Sequence, residues 1–219
     1  MPLTAQIVLF DGFDPLDVIA PFEVLVAGSD FLSGELAVEL VSAEGPRIVV
    51  SGNRGLALTA TGTLDPELPG FVIVPGAAGP TEGDPDEIDT IPVLLARFAA
   101  GAAMPLMRRA LANTEVTVVA VCGGSLALAM AGLLEGRHAA THHLGMDVLD
   151  ATGAVATRAR VVDDGDLISG GGVTSGLDVA LHVLDREFGP EIARAVEDLF
   201  DFERRGIVWR SGGRAPVAY

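Results

Sequence analysis

The chain holds a single cysteine, Cys122, and it stands where a thiol can do chemistry. Val116-Thr-Val-Val-Ala-Val121 is an apolar run rich in β-branched residues, and Cys122-Gly-Gly-Ser125 turns it at once into the helix-forming Leu-Ala-Leu-Ala. A nucleophile on such a strand-to-helix elbow occupies a strained backbone position. Its small neighbours avoid clashes, and the amides of the new helix favour a nearby anion. The pattern predicts a thiol of lowered pKa. The competing reading makes Cys122 a small core hydrophobe, as free cysteines commonly are.

Two further segments bring polar groups to strand ends. Phe71-Val-Ile-Val-Pro75-Gly76-Ala77-Ala78-Gly79 is a strand followed by a small-residue turn, whose amides would form an oxyanion hole or merely complete a Pro-Gly turn. In Asp11-Gly-Phe-Asp14-Pro15-Leu-Asp17-Val-Ile-Ala-Pro21, Asp14 before proline reads as a helix N-cap. Asp17 either offsets the helix dipole or, flanked by Leu16 and Val18, is buried enough to keep a proton and donate it.

Two other stretches are weaker. Thr141-His142-His143 places two histidines side by side, and neighbouring side chains cannot both face one cavity from an extended or helical backbone. With no second His or Cys at ligand spacing, no metal site is expected. Gly170-Gly-Gly-Val173-Thr-Ser-Gly176 lacks both the lysine of a P-loop and the order of a dinucleotide fingerprint, so it reads as pocket wall.

The elements that must carry these residues follow from the hydrophobic period. Gln6 to Phe10, Phe71 to Val74 and Val116 to Val121 are uniformly apolar, the mark of strands buried on both faces of a parallel sheet. Helices are predicted from Pro15 to about Gly28, Pro85 to about Gly101, Ser125 to Leu134 and Gly176 to Phe188, with another after Gly189-Pro190. The alternation predicts an α/β fold: a doubly wound, mostly parallel sheet with helices on both faces. Shorter pieces at Leu36 to Ser42, Ile48 to Ser51, Val161-Val162 and Leu167-Ile168-Ser169 read as hairpin excursions, the last two joined by the turn Asp163-Asp-Gly-Asp166. One domain over residues 1–204 is expected, with 205–219 an extended tail too short for another.

Composition narrows the function classes. A formal charge of −16 over 219 residues argues against nucleic acid, because phosphate backbones require clustered cations. The N-terminus has no secretory pattern, and Cys-Gly-Gly-Ser interrupts the one uncharged stretch of membrane-spanning length, Val116 to Leu134, so a cytoplasmic protein without membrane contact is expected. A free thiol suits a reducing compartment.

Over roughly residues 6–202 the segments resemble the ThiJ/PfpI superfamily, whose fold is related to class I glutamine amidotransferases. The resemblance rests on Asp14-Pro-Leu-Asp17-Val-Ile-Ala-Pro21-Phe-Glu-Val-Leu25, Val74-Pro-Gly76, Val121-Cys122-Gly-Gly-Ser125, Ala131-Gly-Leu-Leu-Glu-Gly136, Ala140-Thr-His142 and Ser169-Gly-Gly-Gly-Val173-Thr-Ser-Gly-Leu-Asp178. These look like the isonitrile hydratase branch and its regulator relatives. The resemblance implies a homodimer acting on a small molecule without a cofactor. It assigns Cys122 as nucleophile, Asp17 as partner acid and the amides of Gly76, Ala77 and Gly123 as an oxyanion hole, with His142 and Val173 secondary. The implied reaction is hydration of an isonitrile to an N-substituted formamide. The alternatives are glyoxalase-like activity on small aldehydes and a non-enzymatic ligand- or redox-sensing domain, although residues 205–219 cannot hold the helix-turn-helix of the regulators. Gly123 departs from the branch, whose hydratases commonly place threonine after the cysteine. Protease-like members place histidine there.

Overall fold

A computed structural model describes residues 2–84 and 87–212. In chain order the strands are β1 (Leu3–Val8), β2 (Leu36–Ser42), β3 (Arg47–Val50), β4 (Ala57–Ala60), β5 (Gly62–Thr63), β6 (Gly70–Val74), β7 (Val116–Val121), β8 (His138–Ala139), β9 (Val155–Ala156), β10 (Val161–Asp163), β11 (Leu167–Gly170) and β12 (Trp209–Arg210). The helices are α1 (Pro15–Phe31), α2 (Ile91–Ala99), α3 (Ala103–Ala112), α4 (Gly124–Met130), α5 (Met146–Ala151), α6 (Ser175–Phe188) and α7 (Pro190–Phe200).

Eight strands form one sheet in the order β12-β10-β11-β7-β6-β1-β2-β5. Every neighbouring pair is parallel except β10 with β11. Uniform burial of β6 and β11 matches their apolar sequences, because a parallel sheet is covered on both sides. Helices α1, α6 and α7 pack together on one side, and α2, α3, α4 and α5 form the second group. The doubly wound, mostly parallel architecture is therefore the expected one.

Details differ from expectation for local reasons. Leu36–Ser42 is no hairpin excursion: β2 joins the main sheet beside β1, in register from Leu3↔Leu36 to Val8↔Val41. Its middle is only half-buried, which hid the parallel-strand signal. The pair β3–β4 is an antiparallel excursion outside the main sheet, as expected, whereas β10 and β11 pair antiparallel but are themselves strands of the main sheet. The predicted helix start at Pro85 lies outside the described residues, and α2 begins at Ile91 with a proline in its first turn. Helices α3 and α5 had no counterpart in the sequence reading. The segment after Arg205 is not merely a tail, since Trp209 pairs with Val162 and adds an edge strand; residues 213–219 lie outside the described ones. Among the described residues no single helix is long and apolar enough to cross a membrane.

The topology gathers the chemistry-bearing segments at one sheet edge. At the C-terminal ends of the strands, the first turn of α1 after β1 carries Asp17, and the turns after β6, β7 and β11 carry Gly76, Cys122 and Gly171. That edge is where open α/β sheets bind ligands.

Candidate active site

Cys122 has φ +54°, a left-handed conformation that side chains rarely adopt. Its backbone is pinned on both sides: the amide donates to Gly170 O at 3.0 Å, and the carbonyl accepts Thr141 Oγ1 at 2.7 Å. Bonds from two elements hold the strained turn that the elbow pattern predicts. Two glycines make the turn possible. A Cβ at Gly124 would lie 2.2 Å from Val74 O, and one at Gly76 2.6 Å from Gly123 N, so the turns after β6 and β7 stack at backbone distance.

Asp14 caps α1, accepting Leu16 N at 2.9 Å, and so fixes Asp17 in the first turn. Asp17 is fully buried. Its Oδ2 accepts Gly76 N at 2.9 Å, its carboxyl faces the Cys122 thiol, and its Oδ1 is buried without a partner among the described residues. Burial, then the charge of Asp14, push the carboxyl up to about 8, outweighing the Gly76 amide and the Cys122 contact. Asp17 is thus the proton-keeping acid of the two sequence readings.

The thiol departs from expectation. Burial pushes Cys122 upward, the charge of Asp17 adds to the shift, and the Gly123 amide pulls against both without prevailing. The elbow predicted a lowered value, but an almost inaccessible sulfur beside a carboxyl outweighs the amides of a seven-residue helix. At neutral pH the pair is a thiol facing a carboxylic acid.

The three expected oxyanion amides do different things. Gly76 N–H is taken up by Asp17, and Gly123 N–H points at the sulfur. Ala77 sits opposite Phe13 in a bridge whose bonds run Asp14 N to Gly76 O and Ala78 N to Gly12 O. In such a non-hydrogen-bonded pair the Ala77 amide points away from Phe13, and it has no acceptor among the described residues.

His142 opens a 3₁₀ turn at 143–145 and accepts Leu144 N through Nδ1 at 3.4 Å. It lies against His143 with ring centroids 4.3 Å apart, and both line a cavity of about 400 Å³ with Thr141 and Arg158. The expectation that adjacent histidines cannot share a cavity fails, because the backbone switches from extended to 3₁₀ between them. Val173 is half-buried and packs against the core. Among the described residues no group of three His, Cys, Asp or Glu is placed to hold a metal ion.

Residues 95–186 match the DJ-1/PfpI family. Isonitrile hydratase from Pseudomonas putida is 34% identical over 200 residues, which cover 90% of this chain and 77% of that protein. The chain belongs to the DJ-1/PfpI family. The HTH-type transcriptional regulator CdhR of Pseudomonas aeruginosa is 25% identical over 194 residues, 88% of this chain but 53% of the regulator. Among solved structures, a THiJ/PfpI family protein from Pseudomonas syringae superimposes with a TM-score of 0.77 at 25% identity, over 94% of this chain and 77% of that one.

Within this DJ-1/PfpI chain the sequence reading missed the residues that hold the elbow from outside. Ser125 Oγ donates to Ala140 O at 2.6 Å, and Ser169 Oγ accepts Ala140 N at 2.8 Å, so two hydroxyls position the segment after β8 that delivers Thr141. Ser125, Thr141 and Ser169 are all buried polar residues. That is the signal that could have found them, had burial been legible.

Proposed function

We propose that the protein is a cysteine hydratase acting on a small electrophilic carbon, most concretely the terminal carbon of an isonitrile. The observation that carries this reading is a buried carboxylic acid, holding its proton to about pH 8, against a buried thiol on a strained elbow. An isonitrile carbon must gain both a proton and a nucleophile, and the pair supplies both. Asp17 gives its proton to the terminal carbon as Cys122 Sγ bonds to it. The thiol proton passes to Asp17, leaving a thioimidate, R–N=CH–S–Cys122. Water then adds to the carbon, one of its protons going to nitrogen. The C–S bond breaks, sulfur takes the remaining proton, and R–NH–CHO leaves. The sum consumes one water and is redox-neutral.

The Ala77 amide is the donor left to hold charge on the reacting group, with Gly123 N–H following the sulfur. Similarity to the Pseudomonas putida isonitrile hydratase supports the same reading. The test is formamide release from a panel of aliphatic and aromatic isonitriles. We expect turnover that is lost in Cys122→Ala, with kcat/KM falling as pH rises through about 8, where Asp17 loses its proton. No formamide from any member would sink the proposal.

A second reading, a ligand-sensing domain without turnover, is favoured by the similarity to the regulator CdhR. Its mark is ligand binding that survives in Cys122→Ala with no product formed by the wild type. Redox sensing fits less well, because peroxide attacks thiolates and burial keeps this sulfur protonated.

A further inference from the structure

The cavity of about 400 Å³ beside the elbow has the size of a small-ligand site and a charge unlike the rest of the molecule. The chain carries 30 acidic residues against 14 arginines and no lysine, yet two arginines and two histidines line this cavity and, among the described residues, no Asp or Glu does. It also borders the residues that hold the backbone of the nucleophile. Thr141, one of its walls, bonds the Cys122 carbonyl, and Gly171 and Gly172 follow Gly170, whose carbonyl accepts the Cys122 amide. Asp17 and Gly76 lie on the β6 side of Cys122 and the cavity lies on the β11 side, so a substrate reacting between Sγ and Asp17 would meet the cavity by extending across the elbow.

The two arginines differ. Arg160 is engaged, with Nε 2.8 Å from Asp178 Oδ2 and Nη2 bonded to both oxygens of Thr174. Among the described residues Arg158 makes only a 3.9 Å contact with Asp147, whose side chain is fully exposed, and its own side chain is 74% exposed. Its planar fork is therefore available for a carboxylate. His142 adds a donor rather than a charge: burial and the neighbouring His143 lower its pKa, and because Nδ1 accepts Leu144 N, the ring hydrogen sits on Nε2.

We propose that this cavity binds a carboxylate on the substrate through Arg158, so that the preferred substrate is a small isonitrile bearing an anionic carboxylate. The inference rests on the hydratase reading, and the experiment separates the two. Isocyanoacetate and its methyl ester are compared in wild type and Arg158→Gln. The wild type is expected to favour the carboxylate at least tenfold in kcat/KM, and Arg158→Gln to cut that ratio about tenfold through KM. A wild-type ratio near one, a ratio unchanged in the variant, or equal slowing of both compounds would overturn it. Turnover of neither compound counts against the hydratase reading. The anion site is then read by calorimetry of N-formylglycine with Cys122→Ala. Affinity that drops about tenfold on adding Arg158→Gln supports the site, and absence of binding, or affinity indifferent to Arg158, overturns it.

Discussion

Strand β7 has a buried aspartate near each of its ends, and the two are in opposite states. Near its start, Arg186 Nη2 donates to Thr117 Oγ1 at 3.0 Å while Nη1 bonds Asp163 Oδ1 at 3.2 Å and Gly165 O at 2.7 Å. The other oxygen of Asp163 meets His182 Nε2 at 2.8 Å. Burial alone would raise Asp163, but His182, the Gly165 amide and Arg186 together hold it below the ordinary carboxylate value. Beside the far end, Asp17 has one amide, the Cys122 thiol, an oxygen with no partner among the described residues, and a pKa near 8. Complete pairing turns a buried carboxylate into a structural anion that ties β10, α6 and β7 together. Incomplete pairing leaves an acid with a proton to give.

The contrast breaks first at turnover. Cys122→Ala should reduce product formation to background, and Asp17→Asn should lower kcat by about 10²–10⁴, the range of a general acid. Asp17→Asn should also lower the thiol pKa, because the charge that pushes it up is gone; the rate of iodoacetamide alkylation against pH measures this. A variant with more thiolate and less turnover identifies the proton, not the charge, as the contribution of Asp17. Unchanged turnover would remove Asp17 from the chemistry.

At the other end the expected loss is in stability. Asp163→Asn strands Arg186 and His182 and should cost about 3 kcal/mol in urea unfolding, with the kcat of the folded fraction unchanged. If Asp163→Asn instead lost kcat while keeping its urea midpoint, the division between the two ends would be wrong.

A smaller, pH-dependent effect separates them further. Native Asp17 titrates near 8 and the unfolded residue near its ordinary 3.8, so between those values the native chain holds the extra proton. Stability should therefore fall as pH rises from about 4 to about 8, and Asp17→Asn should flatten that slope. The lowered pKa of Asp163 acts with the opposite sign: its contribution is present above the ordinary aspartate value and is lost as pH falls through the native one. Urea midpoints across pH 2 to 9 in both variants resolve the two contributions.

Much of this edge was legible because its signals are local. The apolar run into Cys122-Gly-Gly fixes the elbow, and Asp14-Pro15 fixes the start of α1 and hence the place of Asp17. What stayed hidden depends on partners distant in the chain. The Gly76 amide looked free until the fold brought Asp17 to it from 59 residues away. The thiol looked activated until burial was known. Strand β2 read as an excursion because its half-buried centre hides its parallel neighbours, and β12 exists only because Trp209 finds Val162. The shared cavity of His142 and His143 turns on one backbone switch that period counting does not register.

The smallest expected effect lies at Gly123, next to the nucleophile. A Cβ there would stand 3.1 Å and 3.4 Å from the two Cδ atoms of Leu95. Those are the free ends of a flexible side chain, unlike the Val74 carbonyl that confronts Gly124, and φ at Gly123 is −73°, which any residue adopts. Gly123→Ala should therefore cost about 1 kcal/mol or less, as Leu95 shifts by a few tenths of an ångström. The amide that faces the sulfur stays in place, so turnover should remain within a few-fold of wild type. A large loss of turnover with an unchanged urea midpoint would show that the room above Gly123, now shared with Leu95, is part of the path to the thiol.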